Sequence, residues 1–196
     1  MAADRPTVPP SQDGPQPEGN AFLVVAAGRG SRVGGDGAPK QYRPLAGRTV
    51  LRRTLEAIDR CPGIDRVMVV IHPDDEALYH DAIAGLSPSY ALLPPAHGGE
   101  TRQRSVLLGL RALSATAPRH VLVHDAARPF LTPAIVAAAL ETLGQGQRAV
   151  LAALPVSDTL KKADETGANV ATTVDRAGLY GAQTPQSFDF ASILSA

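Results

Sequence analysis

A doubly wound α/β domain with a mostly parallel sheet is the architecture this sequence predicts, and two observations carry that expectation. Short, unbroken apolar runs recur along the chain, separated by amphipathic stretches that begin and end at helix-capping residues. At 196 residues, the chain also has the length of one ordinary domain able to bury a sizeable core.

Residues 1–19 read as a disordered tail. Pro6, Pro9, Pro10, Pro15 and Pro17 sit among Gln, Asp, Ser and Gly, and so little apolar surface cannot offset the entropy of ordering. The domain proper is expected over 20–196. Ala21 to Ala26 is a continuous apolar run, the pattern of a strand covered on both faces. A glycine-rich polar stretch follows, from Ala27 to Gly47. Thr49 is placed to cap a helix whose Val50, Leu51, Leu55 and Ile58 share one side, with Gly63 soon after its end. Arg66 to Ile71 is a second buried strand. Asp74 to Ala84 is a short helix closed by Gly85, and Thr101 to Leu113 is another, with Val106, Leu107, Leu110 and Leu113 inward. Val121 to His124 is a strand. Thr132 and Pro133 supply a cap and a preset first turn for a helix to Leu143, ended by Gly144. Ala149 to Leu154 is the next strand. Ligands of such sheets bind beyond the carboxyl ends of the strands, where strand order reverses. That rule directs attention to the segments after Ala26, Leu93, His124 and Leu154.

The charge balance narrows the function classes. Nineteen basic residues match nineteen acidic ones, so no broad field favours nucleic acid or an anionic membrane. Cys61 is the only cysteine, which excludes an intrachain disulfide and suits a reducing cytoplasm. No apolar run approaches the roughly 18 residues of a membrane helix, and the N-terminus lacks the order of a secretory leader. A cytoplasmic protein is expected, with neither nucleic acid nor membrane as partner.

Any attraction for anions must therefore be local, and the first loop offers one. Ala26-Ala27-Gly28-Arg29-Gly30-Ser31-Arg32 follows the first strand directly and leads through Asp36 to Pro39-Lys40-Gln41-Tyr42. Glycines let backbone N–H groups turn toward a ligand, and Arg29, Arg32, Lys40 and Arg43 face one acid, Asp36. The combination suits a triphosphate. It is neither the dinucleotide fingerprint, since Val33 stands at the third glycine position, nor a P-loop, since Asp36 follows Gly35 where Gly-Lys-Ser/Thr is needed. The plain alternative is an ordinary surface loop.

The extended motif resembles the signature loop of sugar-nucleotide and sugar-alcohol nucleotidyltransferases, and its Pro-Lys-Gln-Tyr ending resembles the 2-C-methyl-D-erythritol 4-phosphate cytidylyltransferase branch. Gly98-Gly99-Glu100-Thr101-Arg102-Gln103-Arg104-Ser105 is similar to that family's base-reading turn, His124-Asp125-Ala126-Ala127-Arg128-Pro129 to its strand-end motif, and Ser157-Asp158-Thr159, Val174-Asp175-Arg176 and Gln183-Thr184-Pro185-Gln186 to its acceptor segments. The resemblance runs from about Ala21 to Phe190.

It implies a Rossmann-like, GT-A-like nucleotidyltransferase fold with a protruding β-arm, and transfer of CMP from CTP to methylerythritol phosphate with Mg²⁺. Ala26, Ala27, Gly28, Gly30, Gly99, Glu100, Ser105, Asp125 and Ala126 would hold CTP, with Asp125 also the metal ligand. Arg32, Lys40 and Arg176 would be catalytic, and Arg128, Thr159 and Thr184 would hold the acceptor phosphate. Residues 156–176 would form the arm of a homodimer. Taken without the resemblance, Asp125 and Arg128 also read as a local ion pair, the Lys161–Glu165 charges as a solvated hairpin, and His124 as structural. Family members continue beyond the equivalent of Ala196, so a domain truncated at its C-terminus is expected, or the first part of a fusion to a cyclodiphosphate synthase. Ribitol 5-phosphate as acceptor, and CTP binding without turnover, are the competing readings.

Overall fold

A computed structural model describes residues 18–29 and 38–196 of the chain. Of the expected tail, all but Glu18 and Gly19 lies outside the described residues. Strand β1 (Asn20–Val25) alternates its side chains between two cores. Phe22 and Val24 enter one, while Ala21 and Leu23 enter the other, and this two-sided cover is why the run lacks polar residues.

A short hairpin, β2 (Pro44–Leu45) and β3 (Arg48–Thr49), leads into α1 (Val50–Asp59). Thr49 caps that helix as expected, its Oγ1 accepting from the Arg52 N–H at 3.2 Å. Strand β4 (Arg66–Ile71) follows, then a 3-10 turn at Pro73–Asp75 running into α2 (Glu76–Ile83). Two short strands, β5 (Ala91–Leu92) and β6 (Ala96–His97), precede α3 (Arg102–Leu113). Then come β7 (His120–Asp125), α4 (Pro133–Gly144) and β8 (Ala149–Pro155). The arm is the antiparallel pair β9 (Lys161–Ala163) and β10 (Val170–Thr173), exposed along both strands. The chain returns as β11 (Tyr180–Asp189) and enters α5 (Phe190–Leu194), capped by Asp189, whose carboxylate accepts from the Ser192 N–H.

The sheet order is β5-β4-β1-β7-β11-β8, with β6 also on β4. β1, β4, β5, β6 and β7 run parallel, as doubly wound topology predicts. β11 differs: it lies between β7 and β8 and is antiparallel to both. Alternation of helix and strand gave no sign of that insertion, because β11 follows the arm without a crossover helix. Its ladder shifts register between Ala182 and Gln186, where Pro185 has no N–H to contribute.

Strand order reverses at β1, which has β4 on one side and β7 on the other. The ends of β1 and β7 are therefore where a ligand crevice should open. One buried tie stabilises that region. Thr54, fully buried on α1, donates its hydroxyl at 2.8 Å to the Ala126 carbonyl just past β7. Thr54→Val keeps the shape and removes the donor, so the domain should lose about 1–3 kcal/mol, read as a lower urea midpoint with an unchanged slope.

Candidate active site

Beyond the carboxyl ends of β1, β4 and β7 lies a cavity of about 880 Å³. Its floor is Ala26, Ala27 and Gly28, which continue from β1. Ala26 N–H still donates to Val70 O of β4 at 2.7 Å, so the loop leaves the sheet from a fixed point. The Pro-Lys-Gln-Tyr run then folds back on it. Pro39 precedes a 3-10 turn, Lys40–Tyr42, that buries Gln41 and Tyr42 and leaves Lys40 exposed on the cavity. The Gln41 side-chain amide donates to Ala26 O and, at 3.3 Å, to Gly28 O. Tying up those two carbonyls orients the peptide units of Ala26 to Gly28. Lys40 forms no ion pair among the described residues and lines the cavity.

The opposite wall is the turn before α3. Gly98 N–H donates to Ile71 O at 2.8 Å, pinning the turn to the end of β4. Ser105 is buried, and its hydroxyl oxygen accepts from Gly99 N–H at 3.1 Å while its proton can go to Thr101 O at 2.9 Å. Thr101 caps the helix, accepting from Arg104 N–H at 3.0 Å. Ser105 thus shapes the turn from inside, and Gly99 and Glu100 line the cavity at a helix N-terminus, where partial positive charge collects.

Asp125, at the end of β7, completes the cavity. Its two oxygens are held by two guanidinium groups: Arg102 Nε donates to Oδ1 at 3.0 Å, and Arg128 Nε to Oδ2 at 3.1 Å. The local Asp125–Arg128 pair read from the sequence is therefore present, but it is half of a three-residue bridge between β7 and α3. Arg128 Nη1 also donates to Gln183 Oε1 of β11 at 2.6 Å. His124 is buried among these groups. Its Nε2–H donates to Arg128 O at 3.0 Å, which leaves Nδ1 to accept from the Thr184 hydroxyl at 2.9 Å. Burial holds this imidazole below its ordinary pKa, so it is neutral at pH 7. His124 is a structural residue that fixes the Arg128 turn and the Thr184 side chain.

The structure brings Ala26, Ala27, Gly28, Lys40, Gly99, Glu100, Ser105 and Asp125 to one cavity. Arg128 and Thr184 line a second, more apolar cavity of about 730 Å³ that meets the first at Ala127. Ala126 lines neither: its N–H donates to Val25 O at 3.0 Å and its carbonyl accepts from Thr54, so Ala127 takes the exposed place. Thr159 and Arg176 stand exposed beside the arm, outside both cavities, with Arg176 donating to Ser157 O. Gly30 and Arg32 lie outside the described residues. Gln41, Arg102 and Gln183 were not singled out from the sequence. They are polar residues inside motifs that were, and only their distant partners show what they do.

No helix is long and apolar enough to cross a membrane, and no group of three or more His, Cys, Asp or Glu could hold a metal, among the described residues.

Comparison with known proteins gives a consistent result. The family model described as "IspD: 2-C-methyl-D-erythritol 4-phosphate cytidylyltransferase" matches residues 21–196. A protein of Nitrobacter hamburgensis named "Bifunctional enzyme IspD/IspF" is 50% identical over 182 residues, covering 93% of this chain and 43% of that protein. A protein of the same name from Paramagnetospirillum magneticum is 52% identical over 174 residues, covering 89% and 43%. The chain thus spans less than half the length of these relatives. Among solved structures, 2-C-methyl-D-erythritol 4-phosphate cytidylyltransferase from Thermus thermophilus is similar at 34% identity and a TM-score of 0.64, covering 89% of this chain and 71% of that one. The 4-diphosphocytidyl-2C-methyl-D-erythritol synthase from Anaerococcus prevotii superposes with a TM-score of 0.74 at 30% identity, covering 91% and 74%.

Proposed function

Because the chain belongs to the 2-C-methyl-D-erythritol 4-phosphate cytidylyltransferase family, we propose that it transfers CMP from CTP to 2-C-methyl-D-erythritol 4-phosphate, releasing pyrophosphate. The observation that carries this reading is the convergence of Lys40, the Ala26–Gly28 turn and the Gly99–Ser105 turn on one cavity at the sheet's switch point.

An oxygen of the acceptor phosphate attacks the α-phosphorus of CTP, and the bond to the pyrophosphate oxygen breaks. The nucleophile is already ionised near neutral pH, so no general base is required. The barrier is dominated by bringing an anion onto a polyanion, and catalysis follows from positioning and from cations that meet the developing charge. Lys40 stabilises the α-phosphate and the leaving group, with Arg32 as its partner in the same role. The Gly99–Glu100 backbone and the turn shaped by Ser105 receive the base, while Ala26 to Gly28 receive the phosphates. Arg128, with Thr184 held beside it by His124, faces the acceptor.

Mg²⁺ belongs to the same proposal, with Asp125 as its one protein ligand beside the substrate phosphates, where the carboxylate would exchange a contact to Arg102 or Arg128 for the ion. The ion would neutralise triphosphate charge. Thr159 and Arg176 lie outside both cavities, and they would reach an acceptor in a second copy through an arm-exchanged homodimer. The likeness to relatives named bifunctional also supports a cytidylyl-transferring part joined to a cyclodiphosphate synthase.

The test is pyrophosphate release from CTP and Mg²⁺ with methylerythritol phosphate or ribitol phosphate offered separately. Turnover with methylerythritol phosphate alone is expected. Turnover confined to ribitol phosphate would move the acceptor assignment, and CTP binding without turnover on either would reduce the chain to a binding unit.

A further inference from the structure

From its sequence, Arg29 counts as one of the cations facing the triphosphate. In the structure Arg29 does line the cavity, but its guanidinium is engaged by the cavity's own wall. Its guanidinium contacts three groups on the turn after β4: His72 Nδ1 at 2.7 Å, Asp74 Oδ2 at 2.8 Å and Asp75 Oδ1 at 3.5 Å. These partners differ in weight. The Asp74 side chain is 76% exposed, and a solvated pair of that kind contributes little. The Asp75 side chain is only 2% exposed, and Arg29 is its one ion-pair partner among the described residues. A buried carboxylate without its counter-charge is strongly destabilising.

The burial of Asp75 has a further mark. Its Oδ2 has no hydrogen-bond partner among the described residues, and neither does the buried hydroxyl of Tyr42 from the Pro-Lys-Gln-Tyr turn. Burial first, and the Asp75 charge second, push the Tyr42 phenol well above its ordinary pKa, so it stays protonated. The Tyr42 phenol, on the turn that carries Lys40, thus feels the Asp75 carboxylate on the turn after β4, and Arg29 pairs with that carboxylate from the loop after β1.

We propose that Arg29 is a positioning residue for the nucleotide: by neutralising buried Asp75 it fixes the start of the phosphate loop to the turn after β4, and it does not contact the triphosphate. This rests on the nucleotide-transfer reading of the same cavity. The alternative, direct phosphate contact, predicts the opposite sign for one substitution. Releasing Arg29 from Asp75 would then tighten CTP binding, whereas a positioning role makes binding weaker when either partner is lost.

The experiment is a double-mutant cycle on the full chain, with CTP affinity measured by calorimetry and Tm by thermal melting, for Arg29→Met, Asp75→Asn and the double variant. The expected results are a loss of affinity of about tenfold in Arg29→Met, about threefold in Asp75→Asn, and no more than about threefold in the double, because Arg29 has nothing left to neutralise. Tm should fall in Arg29→Met and recover in the double. Tighter CTP binding by Asp75→Asn, or a double variant as weak as the two losses multiplied, would overturn the proposal. So would an Arg29→Met protein with lowered Tm and unchanged CTP affinity, since its role would then be structural alone. Should Arg29→Met fail to fold, the sign of the Asp75→Asn effect still decides. Absence of CTP binding by the unsubstituted chain would overturn the function on which the inference rests, while the Tm cycle would still report whether Arg29 and Asp75 are coupled.

Discussion

Lys40→Ala should lower the rate of pyrophosphate release from CTP by about 10²–10³-fold at saturating substrate, the effect typical of removing one preorganised charge from a developing anion. The expectation follows from three facts about Lys40. It sits on the one-turn 3-10 segment whose neighbours Gln41 and Tyr42 are buried, so its side chain is directed outward. It lines the cavity formed by the Ala26–Gly28 and Gly98–Ser105 turns. Among the described residues no carboxylate pairs with it, in contrast to Arg29, Arg102 and Arg128. Loss should fall on kcat more than on KM, because charge at the α-phosphate grows only as the bond to pyrophosphate breaks. Lys40→Arg should recover only part of the rate, since a planar guanidinium does not replace a compact ammonium at one point. Arg111→Ala, at an exposed position in the last turn of α3, serves as the charge control and should leave the rate unchanged. A Lys40→Ala rate within threefold of the parent would remove Lys40 from the chemistry.

Gly98→Ala is expected to be the most damaging single methyl in the site. A Cβ at Gly98 would lie 2.4 Å from Ala27 Cβ and 2.7 Å from Ser105 Oγ, well inside van der Waals contact. Neither neighbour is a flexible side-chain end. Ala27 Cβ is rigid on the turn after β1, and the Ser105 hydroxyl holds the turn before α3, so relief requires moving one of the two walls of the cavity. Gly98 cannot retreat, because its own N–H is bonded to Ile71 O. The substitution should cost about 1–3 kcal/mol of stability by overpacking and weaken CTP binding by more than about tenfold, a loss of roughly 1.4 kcal/mol or more. Gly144→Ala, where an added Cβ meets nothing within 4 Å, is the control and should leave CTP binding unaltered. Calorimetric titration of both variants with CTP checks the pair. Normal CTP affinity in Gly98→Ala would mean that the two walls are not rigidly held and that the site is more pliable than its packing indicates.

Legibility in the sequence varied from element to element for physical reasons. β1 and β4 were evident because both their faces are covered, which leaves Phe22, Leu23, Val67 and Val69 in unbroken apolar runs. Thr49 and Thr101 marked helix starts because a cap is a contact over three residues, entirely local. β11 was missed as a strand because Pro185 interrupts its ladder and its first residue, Tyr180, is 64% exposed. β8 read as a continuous apolar run, yet it lies on the sheet edge with Leu151 and Leu154 exposed, so an apolar run there did not mean burial.

The site divides along the same line. The Ala26–Gly28 turn, the Gly98–Ser105 turn and Asp125 were visible because close backbone packing at the strand ends calls for Gly or Ala, and that requirement is written locally. The direction of each charged side chain was not. Arg29, Arg102 and Arg128 look alike as cations in a sequence. Only the fold pairs Arg29 with Asp75, brings Arg102 to Asp125 across 23 residues, and joins Arg128 to Gln183 across 55. The sequence by itself determined the domain class, the helix starts and the turns at the end of β1 and before α3 that line the cavity, since these depend on neighbours within a turn or on the period of burial. Tertiary structure alone decided that β11 enters the sheet antiparallel, that His124 holds Thr184, and that Lys40 lines the cavity without an ion-pair partner among the described residues. Each of those depends on a contact between segments far apart in the chain, and no local pattern encodes the partner of a charge.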